Sequence, residues 1–510
     1  MNSQPPPFNR PSSEDSAEPV PAWFADDGNP RSAMAATASP WSWVPRLGML
    51  LVLTLTLLWS ISHLIGGVLN ERGLTASESR QRDGEPGLRV LLRQRERNQD
   101  THPQITIFVA QNAILSNPEA SPPQWISVPS GSSLHILPNV ESGFLITSRA
   151  LPSDLSWSGR RIRLIPDRHN QRGALEAASS EPLAQEEIFR LLDSLPVEAA
   201  DNRPVFGIGG RQYRGSLNLY WHSARSLVAI NQIGIESYLE GVLQSELSVT
   251  WPLETLKAQA VASRSYAYTK IATGGSRLGT VPFHLRDTVA DQEYRGTGAG
   301  GMKIDWAITS TRGEVLHSGN SPFAPFFHAA SGGHLAAVDS VFPGSRSANG
   351  RHQLSQVMVA KADPFFATGL NALNKRESHG RRTITLSSGD LRNMLRERGE
   401  QAGWPMRVVA ERLASGHITQ VHIGWAGGEV SMSGAAFRQL VGPNRLRSTL
   451  WTPDSPHRND DGNFIFTSTG WGHGVGMSQL SAYAMAHHYG YDYRSILDFF
   501  YEQSRIERLW

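Results

Sequence analysis

Glu246 stands near the middle of a stretch, Ile235 to Tyr268 (IESYLEGVLQSELSVTWPLETLKAQAVASRSYAY), where two helix-patterned segments meet at a Trp-Pro break. Tyr238, Leu239, Val242 and Leu243 recur at the spacing of one helical face. Pro252 falls where the first turn of a second helix accepts a proline. Glu246 is therefore expected in the last turn of the first helix, facing the negative end of its dipole, with Leu247, Val249 and Trp251 as an apolar wall. Both influences favour the protonated carboxyl. An acid that holds its proton near neutral pH is what general acid catalysis requires. The plainer reading of the same residue is a helix-end carboxylate that caps, or pairs with an arginine such as Arg264.

Three further stretches carry usable groups. DTVADQEYRG, Asp287 to Gly296, contains Tyr294, which offers an apolar stacking face and a hydroxyl. FFHAASGGH, Phe326 to His334, sets His328 and Ser331 ahead of two glycines, which let a backbone approach a ligand closely. His328 and His334 at the ends of a short turn are also a zinc-ligand pattern, which His473 or Glu246 would have to complete. GWGHGVGMSQ places His473 between glycines just before a helix, where free backbone N–H groups can hold an anion or a sugar oxygen. A tight turn around a buried structural histidine is the alternative.

The elements that must position these groups read as an α+β arrangement. From Arg203 onward the strand-patterned runs VFGIGG, YRGSLNLYW and SLVAINQIGIES lead into the Glu246 helices. Beyond His334 come further strands, a polar helix at Gly389 to Arg398, the runs HITQVHIGW and GEVSMSG, and a last strand NFIFTSTG. A helix from about Met477 to His488 then stops at Gly490. No regular βαβ repeat and no repeat of 20 to 50 residues is present. Between Gln104 and about Pro166, alternating runs such as ITIFVA, LHIL and RIRLI predict a small β-rich accessory region over 101–200, with a helix at Ala177 to Leu195 leading out of it.

The N-terminal part differs in kind. Residues 1–42 are rich in Pro, Ser, Ala and Asp and read as a disordered tail. Leu47 to Leu69, within an expected membrane-spanning segment 43–70, is a 23-residue run without Lys, Arg, Asp or Glu, flanked by Trp41 and Trp43. At about 1.5 Å per residue it is long enough to cross a hydrocarbon core, and longer than the apolar region of a signal peptide. Residues 71–100 read as a charged linker. Arg72, Arg80 and Arg82 after the span, against Arg46 before it, lean toward an inside location for the C-terminal part of the chain.

Composition narrows the function classes. With 48 basic and 46 acidic residues the net charge is +2, so no basic field points to nucleic acid, and no phosphate-binding glycine loop of the P-loop type is present. With no Cys, disulfides and thiolate zinc sites are excluded. The chain of 510 residues has room for more than one domain.

The tyrosine-leucine helix with its Glu, the Trp-Pro-Leu-Glu, the Leu-Lys-Ala-Gln-Ala-Val-Ala and the Arg-Ser-Tyr-Ala together resemble the SpoIID/LytB family of bacterial cell-wall proteins, named for stage II sporulation protein D and an amidase enhancer. The blocks FFHAASGGH and GWGHGVGMSQLSAYAMA match the same family in the same order, over roughly Arg203 to Trp510. The resemblance implies a lytic transglycosylase that cuts the β-1,4 bond between N-acetylmuramic acid and N-acetylglucosamine, with Glu246 as acid and then base. It implies that Arg264, Tyr294, His328, Ser331, Trp471, His473 and Gln479 bind glycan or brace Glu246. No cofactor and no metal is expected, and relatives that hold zinc near this block do so with Cys and His together. Asp287, Asp291 and Glu293 keep ordinary hydrolysis open, since glycosidases pair two carboxylates. A non-catalytic glycan-binding module that enhances a cell-wall amidase is the second reading, and a zinc amidase built on His328, His334 and His473 the third. A peptidoglycan substrate implies a chain held in the cell membrane by one span, with its catalytic part in the periplasm or cell-wall space, against the weak charge asymmetry.

Overall fold

A computed structural model of the chain describes residues 84–94, 99–120, 123–140, 143–151, 153–167, 203–298, 301–342 and 351–510. The expected tail, the expected span Leu47 to Leu69, the first part of the linker and the helix expected at Ala177 to Leu195 lie outside the described residues. Among the described residues no helix is long and apolar enough to cross a membrane.

Two sheets and the helices Ile235–Glu246, Leu253–Ala272 and Met302–Ser310 form the first core. A seven-stranded sheet runs in the order Leu285–Arg286, Gly87–Leu92, Ser226–Gly234, Ser216–Ser223, Arg161–Pro166, Ala113–Asn117, Gln124–Val128. A six-stranded sheet runs Arg211–Tyr213, Phe206–Ile208, Ile105–Val109, Ser133–Asn139, Gly143–Thr147, Leu155–Ser158. Period-two alternation does what it should at Ile105–Val109, where Ile105, Ile107 and Val109 are buried while Thr106 and Phe108 face outward. Leu88, Ile107, Leu115, Leu134, Phe144, Leu164 and Leu219 from the strands meet Tyr238, Leu239, Val242 and Leu243 from the helix Ile235–Glu246 in one cluster. The strands expected to form an accessory region thus share both sheets with the strands after Arg203: Leu217 pairs with Leu164, and Ile107 with Ile208. The expected boundary near residue 200 does not separate one sheet from another.

The helix Leu253–Ala272 lies at the centre of the second part. Ala258, Ala260, Ala262 and Ala267 are all fully buried, because their small side chains let neighbours approach the helix from several sides. Ala258, Val261 and Ala262 belong to a second cluster with Leu316, Leu335, Val475, Ala482 and Ile496, so this helix joins the strand Glu314–Ser318 to the helices Gln479–Tyr489 and Tyr493–Phe500.

A third cluster forms between the two glycine-bearing blocks. It includes Leu386, Leu391, Leu395, Val421, Ile423, Phe437, Trp451 and Phe466. Around it stand a sheet of Pro405–Arg412, Ile418–Trp425 and Gly428–Ser433, a sheet of Arg381–Leu386, Phe464–Thr469 and His457–Arg458, and the helices Ser388–Glu397 and Gly434–Val441. The expected polar helix is present, started by a capping box of Ser387 and Asp390. The helix Gly434–Val441 was not anticipated from the sequence.

Candidate functional site

Glu246 is the last residue of its helix, and the chain leaves it in extended conformation at Leu247. Its carboxyl opens into a cleft of about 720 Å³, lined also by Asp291, Phe326, His328, Trp471, His473 and Gln479. The backbone N–H of Glu293 donates to Oε1 at 3.0 Å, and Nε2 of Gln479 donates to Oε2 at 3.4 Å. Burial raises the pKa of Glu246 above the usual glutamate value, and these two donors only partly offset it. The apolar surroundings differ in detail from those expected. Leu247 is buried in the core and Trp251 packs on Tyr483 with ring centroids 5.3 Å apart, but Val249 points to solvent at 42% exposure.

Arg264 is not a partner of Glu246 and does not reach the cleft. It is fully buried, with Nε and Nη2 donating to the two carboxylate oxygens of Glu236 at 2.9 and 2.7 Å. Nη1 reaches Thr311 Oγ1 and the Glu314 carbonyl, both at 3.4 Å. This fork ties the start of one helix to the middle of the next, a scaffolding task for which a guanidinium's rigid set of donors suits it.

Tyr294 is likewise a correction to the expected glycan wall. It is 0% exposed, its hydroxyl donates to Asn231 Oδ1 at 2.9 Å, and its ring lies 4.9 Å from that of Tyr238. Gln292 is buried as well and accepts from the Tyr238 hydroxyl at 3.0 Å. Gly241 is required on the facing helix, since a Cβ there would stand 2.6 Å from the Tyr294 ring and 2.4 Å from the Gly296 carbonyl. The side chains of this segment are anchors. They fix the loop so that the N–H of Glu293 meets Glu246.

Of the other acids in the segment, Asp287 is buried and accepts from the Arg93 N–H at 3.1 Å. Asp291 lines the cleft, with both oxygens engaged: Oδ1 by the Tyr266 hydroxyl at 2.9 Å and Lys270 at 3.1 Å, Oδ2 by the Arg286 N–H at 2.9 Å. The Glu293 side chain pairs with Arg295 at 2.9 Å.

The two glycine-bearing blocks are stitched together by their backbones. Phe327–His328 pairs in parallel with Met477–Ser478, and Ala330 and Trp471 exchange hydrogen bonds at 2.9 and 2.8 Å. Gly472 is necessary at this seam: its φ is +127°, and a Cβ would lie 2.5 Å from that of His328. Nδ1 of His328 donates to the Val475 carbonyl at 3.1 Å, which leaves Nε2, buried and without a hydrogen-bond partner, as an acceptor. Nδ1 of His473 accepts from the Val475 N–H at 3.1 Å, which puts its proton on Nε2. Burial pulls His328 well below the usual histidine value and His473 down to about 4, so both rings are neutral at physiological pH. Trp471 presents an indole to the cleft, backed by Arg447 at 4.1 Å and His379 at 4.9 Å.

Ser331 is not at the cleft surface. It is buried and donates to Asp363 Oδ2 at 2.6 Å, and Ser481 donates to the same oxygen at 2.6 Å. Asp363 is a residue that sequence reasoning missed, since no motif contains it. His334 faces His417, with ring centroids 6.5 Å apart, while His328 and His473 are 5.4 Å apart. Among the described residues no three His, Asp or Glu side chains are placed to hold a metal ion, so the alternative zinc grouping of His328, His334 and His473 does not assemble there.

The described residues thus form an α+β protein in which the Glu246 carboxyl, the Trp471 and Phe326 rings and two neutral histidines line one cleft. The family model described as SpoIID, stage II sporulation protein, matches residues 223–317, which hold Glu246 and both of its helices. An uncharacterized protein of Brachyspira hyodysenteriae is 30% identical over 297 residues, covering 58% of this chain and 72% of that protein. The amidase enhancer of Bacillus subtilis is 26% identical over 330 residues, 58% of this chain but 44% of its own length. Stage II sporulation protein D of the same organism is 23% identical over 291 residues, 54% of this chain and 76% of its own. The chain belongs to the SpoIID/LytB family.

Proposed function

We propose that the protein is a lytic transglycosylase of peptidoglycan, anchored in the cell membrane through Leu47 to Leu69, with the described part in the periplasm or cell-wall space. Family membership supports a cell-wall role. The observation that carries the enzymatic reading is the carboxyl of Glu246, half-buried in the cleft, raised in pKa, and held by the Glu293 N–H and Gln479.

Glu246 in its protonated form donates to the bridging glycosidic oxygen as the muramyl C1–O bond breaks, and the N-acetylglucosamine end leaves with that proton. The carboxylate so formed takes the proton of the muramyl C6 hydroxyl, whose oxygen attacks C1 and closes a 1,6-anhydro ring. Glu246 is protonated again, and no water is consumed. The Glu293 N–H and Gln479 stabilise the carboxylate between the two transfers. A hydrolase would need a second carboxylate free to attack C1 or to activate water. Asp291, the other acid in the cleft, has both oxygens occupied by Tyr266, Lys270 and a backbone N–H.

A second reading, glycan binding that enhances a separate amidase, has the similarity to the Bacillus subtilis amidase enhancer in its favour. Digestion of purified glycan strands by the full-length chain, with and without stem peptides, separates the two. Anhydromuramic ends made by the wild type and lost in Glu246→Gln are expected. Reducing ends would mean hydrolysis, and intact strands that bind the chain and accelerate an added amidase would favour the enhancer.

A further inference from the structure

The motif stretches around Glu246, Tyr294, His328 and His473 do not supply the whole cleft. Part of its wall comes from the module between the two glycine-bearing blocks, through Ala436, Arg438 and Gln439 of the helix Gly434–Val441 and Asn444 just beyond it. These are the residues least legible in the sequence, and one of them is charged.

Arg438 is half-buried, and its Nε donates to the Arg447 carbonyl at 3.0 Å. That single bond fixes the plane of the guanidinium and leaves its terminal nitrogens for other partners. Among the described residues no Asp or Glu pairs with it, and the cleft around it is lined by the neutral imidazoles of His328 and His473. Its positive charge is one of the causes holding both rings neutral, so it acts on the same space that they line. Removal from water without a compensating acid lowers its pKa to about 10. A guanidinium drawn partly out of water is met, as a rule, by a carboxylate in bidentate geometry, and among the described residues none is offered. The group that meets it must arrive with the ligand.

We propose that Arg438 is a carboxylate-binding residue of the cleft, which reads the acidic substituent of a muramyl unit: its own lactyl carboxylate, or a carboxylate of an attached stem peptide. This rests on the peptidoglycan reading above, and extends it from the sugar backbone to the substituent that distinguishes muramic acid from other hexosamines. Gln439 and Asn444 flank the arginine with neutral donors and acceptors for the remaining polar atoms.

The test is a binding cycle on the full-length Glu246→Gln chain, which keeps the strands intact. Three probes are used: peptide-free glycan strands, the same strands with their lactyl carboxylates amidated, and strands bearing stem peptides. Arg438→Gln is expected to weaken binding of a carboxylate-bearing strand by about 10-fold or more. Amidation of the strand should cost the parent chain a similar factor, and should cost the Arg438→Gln chain nothing further. Arg438→Lys should recover part of the loss. A coupled loss on peptide-free strands identifies the lactyl group; one confined to peptide-bearing strands identifies the stem. Equal weakening on all three probes, or no weakening on any, overturns the assignment of Arg438 while leaving the cleavage assay untouched. Failure of the parent chain to bind any strand overturns the peptidoglycan reading, and this inference with it.

Discussion

Nε2 of Gln479 meets Oε2 of Glu246 at 3.4 Å and Oε1 of Gln259 at 3.3 Å, so the first residue of one helix braces the last residue of another across 233 positions of sequence. The acid is held from two sides. Gln479 reaches it from the helix whose N-cap is Ser478, and the Glu293 N–H from a loop pinned by Gln292 and Tyr294.

Replacing Glu246 by Gln keeps the shape and an acceptor for the Glu293 N–H but removes the transferable proton. Cleavage of glycan strands should fall by at least about 10²-fold. The melting temperature should hold or rise, because a half-buried carboxylate is replaced by a neutral amide. Loss of activity together with loss of folding would mean that Glu246 is structural.

The pH profile follows from the direction of the shift. The acid must be protonated at the start of the cycle, so kcat/KM should fall as pH rises through the Glu246 pKa, and that limb should lie above the ordinary glutamate value of about 4.5. The folded state binds this proton more tightly than the unfolded one. The stability it contributes is therefore complete below the unfolded pKa and is lost as pH climbs through the raised folded value. Glu246→Gln should abolish that dependence in denaturation measured across the acid range.

Gln479→Met removes one donor from the carboxylate with little change of volume. The hydrogen bond from Gln479 lowers the Glu246 pKa, so its removal should move the basic limb of the rate profile to higher pH. An unmoved limb with reduced rate would assign Gln479 to substrate rather than to Glu246.

Arg264→Met breaks a buried pair and leaves the Glu236 carboxylate without its counter-charge, held among the described residues only by the Gly313 N–H and the Trp510 indole, which should cost about 3–5 kcal/mol in chemical denaturation. Tyr294→Phe gives up one buried hydrogen bond and should cost about 1 kcal/mol. It should leave KM for glycan strands unchanged, since Tyr294 does not reach the cleft. A large rise in KM with intact stability would return it to the glycan wall.

The helix end at Glu246, the helix after GWGHGVGM and the alternation in the early strands are local properties. They arise from proline placement, glycine stops and apolar spacing over a few residues, and the sequence determined them, along with the absence of disulfides and of thiolate metal sites. The exchange of roles among the motif residues was not local. Arg264, Tyr294 and Ser331 carry the same groups as a binding wall would, and only the packing of Glu236, Asn231 and Asp363 against them turned them into anchors. Asp363 and Arg438 belong to no motif, so nothing in the pattern marked them. Which side chains face water and which face the core is fixed by contacts between segments tens to hundreds of residues apart. For that reason the place of Glu246 at a helix end was legible in the chain, while the walls around it were decided by the tertiary structure.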